Sequence, residues 1–479
     1  MQTRKKVLNN FIWRFLERCG AQGVSMIVSI ILARLLEPEV YGTLALVTVI
    51  SSILQVFVDC GLSGGLVQKK DADDLDFSSV FYFNLLACLV IYGVVFILSP
   101  YIALYYRRPD LTKVIRVLSL TVIIAGVKNV QHAYVARNMI FKRFFFATLA
   151  GTIGAAVIGI WMAYRGYGVW ALVAQHLFNT LLDTIVLWFT VKWRPKLLFS
   201  WERLSKLLGY GWKLLAASLL DRVYGRLRTL IIGKRYTDAD LAFYNKGGLF
   251  PGTAVDNMNI AITSILLPSL AQQQDSPARV REMMRRSVKV NTYIVMPMMA
   301  GLAACAVPLV RIFLTEKWLP SVFYMRIFCF SYAFYPLHFI NLNAVKALGR
   351  SDMYLKAEIA KKIVGLAAIA VSMWISVEAM AYTLIITAFT GLWINSSPNK
   401  KLLDYGFFEQ LRDILPQTLL SLVMGAIVAA LSFTPMADGL LLAVQIVSGI
   451  AFYIIGSVLL KIDSFGYVLD MAKSYLKKR

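Results

Sequence analysis

Groups that carry covalent or metal chemistry are scarce in this chain. Of 479 residues only five are cysteine and three are histidine. Cys19, Cys60, Cys88, Cys305 and Cys329 fall in apolar segments without a CxxC or any partner spacing, so they read as small apolar residues and not as disulfides or metal ligands. His132, His176 and His338 are scattered without metal-ligand spacing. No glycine-rich phosphate loop and no nucleophile–base pair occurs, which argues against an enzyme and leaves no catalytic residue, metal or cofactor to assign. Charge is sparse too, at 16%, against 58% hydrophobic residues and a mean hydropathy of +0.64. That is the composition of an integral membrane protein. Acidic residues are half as frequent as basic ones, 27 against 50, giving a net charge of +23. In a soluble protein this would point to nucleic acid; here it points to cytoplasmic loops, and no nucleic-acid partner is expected.

What is abundant is apolar runs. Fourteen candidate spans lie near residues 12–36, 42–66, 80–104, 112–136, 144–164, 168–191, 207–232, 246–270, 288–313, 321–345, 355–375, 379–396, 413–433 and 439–460. With the N-terminus inside, the cytoplasmic stretches carry 31 Lys and Arg, and the opposite stretches carry 8. Such asymmetry predicts an even number of spans with both termini cytoplasmic. Residues 1–10 form a basic flank, and no small-residue cleavage site follows, so the first apolar segment reads as a retained helix.

No loop is long enough to fold as a domain. The longest, 192–206 and 272–289, read as basic interfacial helices, and the tail from Ser464 alternates apolar and basic residues in the same manner. Their cations suit anionic lipid heads, although orientation alone accounts for them equally well. Trp193, Trp201, Trp318, Tyr105 and Tyr106 sit at span ends, where an aromatic belt is expected.

The stretch Gly211–Ile232 stands apart. It is long enough to cross a bilayer yet carries Asp221, Arg222, Arg226 and Arg228. A charge at bilayer depth costs at least about 3 kcal/mol on insertion scales, so this helix is expected to face protein or a wet cavity. Arg222 and Arg226 share a face, being four residues apart. Arg14 and Arg18 repeat that spacing in the first span, where Glu17-Arg18 precedes Asp221-Arg222 by 204 residues. The following loops, ARLLEPEVYG and GKRYTDADLAFY, end at Tyr41 and Tyr244, 203 residues apart. The expectation is an all-α polytopic membrane protein of about 14 transmembrane helices, with two parallel six-helix lobes and two extra C-terminal helices. The divisions are an N-terminal lobe 1–191, a linker 192–206, a C-terminal lobe 207–396, and 397–479 for the added spans and tail.

A cationic cavity lined by Arg14, Arg18, Arg222 and Arg226 would suit an anionic substrate, with Glu17 and Asp221 balancing charge or titrating. Structural ion pairing between helices explains these six residues equally well. Asp59, Lys128, Asp183, Asp256, Asn257 and Asn259 read first as helix–helix contacts, with Asp59 and Asp256 the candidates for cation coupling. Pro251, Pro268, Pro297 and Pro308 are expected to bend helices of the second lobe.

The runs LARLLEPEVYG, DCGLSGGLVQKKDADDLDFSSVFYFN, YYRRPDL and RNMIFKR, with LIIGKRYTDADLAFYNKGGLFPGTAVDNMNIAITSILLPSLAQ in the second half, carry a resemblance. Together they resemble the polysaccharide-synthesis flippases of the multidrug/oligosaccharidyl-lipid/polysaccharide (MOP) exporter superfamily, particularly the Wzx type and its colanic acid exporter WzxC branch. The loop GKRYTDADLAFY departs from that pattern, where relatives commonly end a small-residue turn in Gly-Tyr-Tyr. The resemblance implies an alternating-access flippase of the bacterial inner membrane. Its substrate would be an undecaprenyl-diphosphate-linked repeat unit, and a proton or sodium gradient would be the candidate coupling. Implied partners are membrane lipids, a polysaccharide polymerase and a chain-length regulator. Three other readings stand beside it. A drug exporter of the same superfamily would need an acidic or aromatic cavity for cations. A polymerase, ligase or glycosyltransferase would need a long catalytic loop. A scaffold would be poorly served by arginines inside the membrane.

Overall fold

The computed structural model describes residues 20, 22–59, 62–63, 66, 69, 71–137, 141–467 and 469. Arg14, Glu17 and Arg18 lie outside these residues, as do Cys19 and Cys60. Helices account for nearly all of the described chain, without a strand among the described residues. Six of them are long and apolar enough by themselves to cross a membrane, and a seventh span arises if one bent pair is counted together. Contacts divide the chain into two units, Met1–Ala242 and Phe243–Arg479.

The first unit holds α1 (Gln22–Leu35), α2 (Pro38–Asp59), α3 (Asp74–Tyr105), α4 (Leu111–Leu118), α5 (Leu120–Arg137), α6 (Phe141–Tyr164), α7 (Val169–Thr190) and α8 (Trp201–Arg235). Contacts therefore group α8 with the helices before it, because it packs along α2, whereas repeat order groups it with those after it. α3 starts from a capping box, with Asp73 accepting from the Asp76 backbone N–H and the Asp76 side chain accepting from that of Asp73. Its 32 residues reach about 48 Å. Leu86, Val90 and Ile97 stand exposed along it, as expected of a lipid-facing side. α6 and α7 form an antiparallel pair made close by Gly151, Gly154 and Gly159. A Cβ at these positions would press on Asn179, Leu182 and Gln175.

The segment 192–200 does not float at the surface. The Lys196 and Ser200 backbone N–H groups donate to Ser78 Oγ (3.0 Å) and Ser79 Oγ (2.9 Å) of α3. Trp193 is buried against Phe77, Phe81 and Tyr134, so it is core and not belt, unlike Trp201, which is exposed. Trp318, in the second unit, is likewise buried, edge-on to Phe243. Tyr105 stays exposed as the belt reading requires.

The second unit contains the second half of α9 (Asp238–Gly247), then α10 (Leu249–Ala271), α11 (Pro277–Ala304), α12 (Ala306–Leu314), α13 (Ser321–Ala333), α14 (Tyr335–Ala347), α15 (Ser351–Ser372), α16 (Val377–Leu403), α17 (Phe407–Ala430) and α18 (Asp438–Leu459). A bend of 68° lies between α11 and α12 at Cys305, three residues before Pro308. Pro297 sits inside α11, and Pro251 in the first turn of α10. The two added helices are tied to α11. Gln417 donates to Thr292 (2.9 Å), Tyr293 OH to Ser457 Oγ (2.8 Å) and Tyr453 OH to the Tyr293 carbonyl (2.9 Å). Cys88, Cys305 and Cys329 are buried thiols outside any disulfide, as small apolar packing requires.

Candidate functional site

α8 runs unbroken for 35 residues, about 52 Å, because Ser200 caps it and no proline interrupts it. Its C-terminal half packs on α2 through Thr229, Ile232 and Gly233, all buried. Gly233 lets Leu46 and Leu241 approach the α8 backbone. The middle of the helix behaves differently. Ser218, Asp221, Arg222, Gly225 and Arg226 are all exposed, and their spacing places them along one stripe. A Cβ added at Gly225 would meet open space. Arg222 and Arg226 make no ion pair or hydrogen bond among the described residues, one turn apart along the axis. The sequence expectation of a shared cationic face therefore has a counterpart in α8. For Arg14, Arg18 and Glu17 it falls on residues outside those described.

The carboxylates divide. Asp221 is exposed beside the two arginines. The Asp59 backbone ends α2, and its side chain is outside those described. Asp256 is exposed on α10 of the second unit. Asp183 is no site at all: Lys128 donates to its Oδ2 at 2.5 Å, joining α5 to α7 in a half-buried ion pair. Among the described residues no group of three or more His, Cys, Asp or Glu is arranged to hold a metal.

The repeat expectation needs a changed register. α1 ends at Leu35 and α2 begins at Pro38, while α8 ends at Arg235 and α9 begins at Asp238. The two turns thus correspond at an offset of 200, not 203 or 204, and Tyr41 and Tyr244 are not equivalent positions. The turns also meet. Gly42 packs on the Asp238 backbone so closely that a Cβ would collide with its carbonyl. Thr43 Oγ1 donates to Asp238 Oδ2 at 3.0 Å, and Arg108 pairs with Asp238 Oδ1. Lys234 donates to the Tyr105 carbonyl and lies over the Tyr105 ring. These contacts tie the two turns to the helix end at Tyr105. Reading residues one span at a time does not reveal them; the Gly-Thr after ARLLEPEVY was the available signal.

A second polar cluster was also missed, in the second unit. His338 lies 3.0 Å from Asn395, and Lys361 donates to Glu358 at 2.6 Å. Nearby, Asn341, Asn399 and Gln410 form a fully buried amide network linking α14, α16 and α17. Outside the spans, Asp73 is held far below the usual carboxylate range, at about 2, by the hydrogen bond from Arg203 and then by the Asp76 backbone N–H.

With these features the fold defines a multi-pass helical membrane protein. Its helices superpose on the lipid II flippase MurJ in an inward closed conformation with a TM-score of 0.77. The match covers 94% of this chain and 99% of that one at 14% identity. They also superpose on an inward-facing multidrug resistance MATE family transporter of the MOP superfamily (TM-score 0.64, 80% and 95% covered, 14% identity). The chain belongs to the polysaccharide biosynthesis protein family, whose sequence model matches residues 31–323. It is similar to the succinoglycan biosynthesis transport protein ExoT of Rhizobium meliloti (strain 1021), 24% identical over 66% of this chain and 64% of ExoT. It is also similar to the teichuronic acid biosynthesis protein TuaB of Bacillus subtilis (strain 168), 23% identical over 62% of each. The lipopolysaccharide biosynthesis protein WzxC of Escherichia coli (strain K12) is 22% identical over 69% of this chain and 67% of WzxC. The chain thus spans somewhat under two thirds of the first two relatives.

Proposed function

We propose that this protein is a flippase that moves undecaprenyl-diphosphate-linked oligosaccharide repeat units across the bacterial inner membrane for exopolysaccharide, capsule or O-antigen assembly. The observation that carries the reading is the open stripe of α8, where Arg222 and Arg226 stand exposed without partners in a helix of spanning length. Family membership and the exporter fold supply its context. A sugar diphosphate cannot enter hydrocarbon without compensation for its charges and hydroxyls. Two guanidinium groups on a wet helix face offer that compensation, each able to grip a phosphate in bidentate fashion. The prenyl tail stays in the lipid while the head crosses.

In this reading the chain makes fourteen crossings with both termini cytoplasmic, and alternating access exposes the stripe to each side in turn. The contact of Gly42, Thr43 and Arg108 with Asp238 is the gate that must open. Arg14 and Arg18 extend the cationic lining. Asp221, Glu17, Asp59 and Asp256 balance charge or take up a coupling proton or sodium ion. No cofactor and no catalytic step is needed. A polymerase and a chain-length regulator are the expected working partners.

The test uses inverted membrane vesicles carrying fluorescent undecaprenyl-diphosphate oligosaccharide and a non-permeating glycosidase. Wild type is expected to protect the lipid progressively, and Arg222→Gln/Arg226→Gln to slow protection at least about tenfold, the equivalent of about 1.4 kcal/mol. Equal protection in both would remove the diphosphate from α8. The likeness to a multidrug transporter at a TM-score of 0.64 favours one second reading, export of small molecules. Failure to protect any lipid-linked sugar, with efflux of a soluble organic anion, would select it.

A further inference from the structure

We infer that the second unit carries a binding site for an anionic phospholipid, at the cleft where α12 turns into α13. The cleft encloses about 670 Å³ and is lined by two arginines, Arg311 and Arg326, among aromatic and aliphatic side chains. Both arginines are exposed, and so are Phe330 and Tyr382 on its rim. Phe323 packs edge-on against Tyr382 at 5.5 Å and stiffens the wall. Exposed apolar residues in a membrane protein face acyl chains, so the cleft opens toward lipid.

Arg326 has no structural duty large enough to explain it. It occupies the middle of α13, SVFYMRIFCFSYA, where its neighbours are apolar or aromatic on almost every side. Its Nε donates to the Ala303 carbonyl at 3.4 Å, a long bond to an oxygen left by the break at Cys305. Its two terminal nitrogens have no partner among the described residues. A guanidinium set among apolar side chains is costly unless an anion or water covers it. Arg311, in the last turn of α12, complements the helix dipole, and its one carboxylate, Asp438, is 3.6 Å away. Retention of cations in cytoplasmic loops does not account for this pair either, since the loop 314–321 belongs to the side poor in Lys and Arg.

The chemistry of the cleft selects its occupant. Two forked donors above an apolar wall match one phosphate with acyl chains beneath it. Asp438 partly neutralises Arg311, which favours the single charge of a phosphodiester over a diphosphate. Apart from the arginines and the Tyr382 hydroxyl the lining offers no polar side chain, so a sugar chain would find few partners. The site is therefore distinct from the α8 stripe and does not depend on what the protein transports.

The experiment reconstitutes the full-length protein in nanodiscs with trace phosphatidylglycerol bearing a photoreactive acyl chain, and maps labelled peptides by mass spectrometry. Labelling is expected within 307–330 and 382–385. It should fall about tenfold in Arg326→Gln and less in Arg326→Lys, which keeps the charge but not the fork. Because wild-type mapping stands alone, poor folding of a variant does not leave the matter open. Equal labelling of these peptides by a photoreactive phosphatidylcholine would overturn the inference. So would labelling confined to other helices, or preferential labelling by photoreactive undecaprenyl phosphate or diphosphate.

Discussion

Two regions of the first unit place charge inside long helices and treat it in opposite ways. Across α5 and α7, Lys128 and Asp183 meet at 2.5 Å and satisfy each other. On α8, Arg222 and Arg226 face outward with like charges one turn apart. A closed pair holds helices together, and its loss is felt by the fold. Open like charges add nothing to the fold, and are retained only if something outside the helix uses them. Intramembrane charge is thus a functional signal only after its partners have been counted.

Breaking the closed pair gives the largest effect on stability. Lys128→Met strands a buried Asp183 and is expected to cost about 3–5 kcal/mol, read as a lowered Tm in detergent. Lys128→Met/Asp183→Leu should recover most of it. If the double variant is no better than the single, the pair is not the coupling unit. The amide network of the second unit extends the same logic to uncharged groups. Asn341→Leu leaves Gln410 Oε1 without its donor, while Asn399 Nδ2 keeps the backbone carbonyl of residue 341 and Gln410 Nε2 that of Tyr405, with an expected cost of about 1–3 kcal/mol. A loss in Tm confined to wild-type error would mean that water substitutes there.

The α8 stripe is predicted to show the reverse. Arg222→Gln/Arg226→Gln removes repulsion worth about 0.2–0.5 kcal/mol in an isolated helix, so Tm should hold or rise slightly while flipping falls. A sharp drop in Tm would put these arginines in the closed class. The smallest effect belongs to the exposed Asp73–Arg203 contact. Asp73 titrates at about 2, below its usual range, so its contribution is present above about pH 4. It fades as pH falls through about 2. The Tm gap between wild type and Asp73→Asn, measured from pH 5 downward, should narrow over that window and be reduced by salt.

Much of the architecture was legible beforehand. The apolar runs coincide with helices in both units, because hydropathy averages over about twenty residues and tolerates local error. The charged stretch of α8 and the family were legible for the same reason, being local in the chain. Legibility failed where the decisive neighbour was remote. Trp193 and Trp318 sit near span ends like belt residues, yet Phe77 and Phe243 bury them. Asp183 and Lys128 read from the sequence as helix–helix contacts, as they are, but that they contact each other across 55 residues was not legible. The matching of the two turns at an offset of 200 was not legible, since similar letters at 203 and 204 outweighed turn geometry.

By itself, then, the sequence determined that this is a helical membrane protein with a strong charge asymmetry, with arginines in a helix of spanning length, and with kinship to polysaccharide biosynthesis proteins. Only the tertiary structure decided which charges are closed and which are open, and that the turns before Gly42 and at Asp238 meet. It also brought Arg311 and Arg326 together at one cleft. The reason is geometric: hydropathy and spacing set the length and amphipathy of each helix, but not its rotation. Rotation is set by packing against helices far away in the chain.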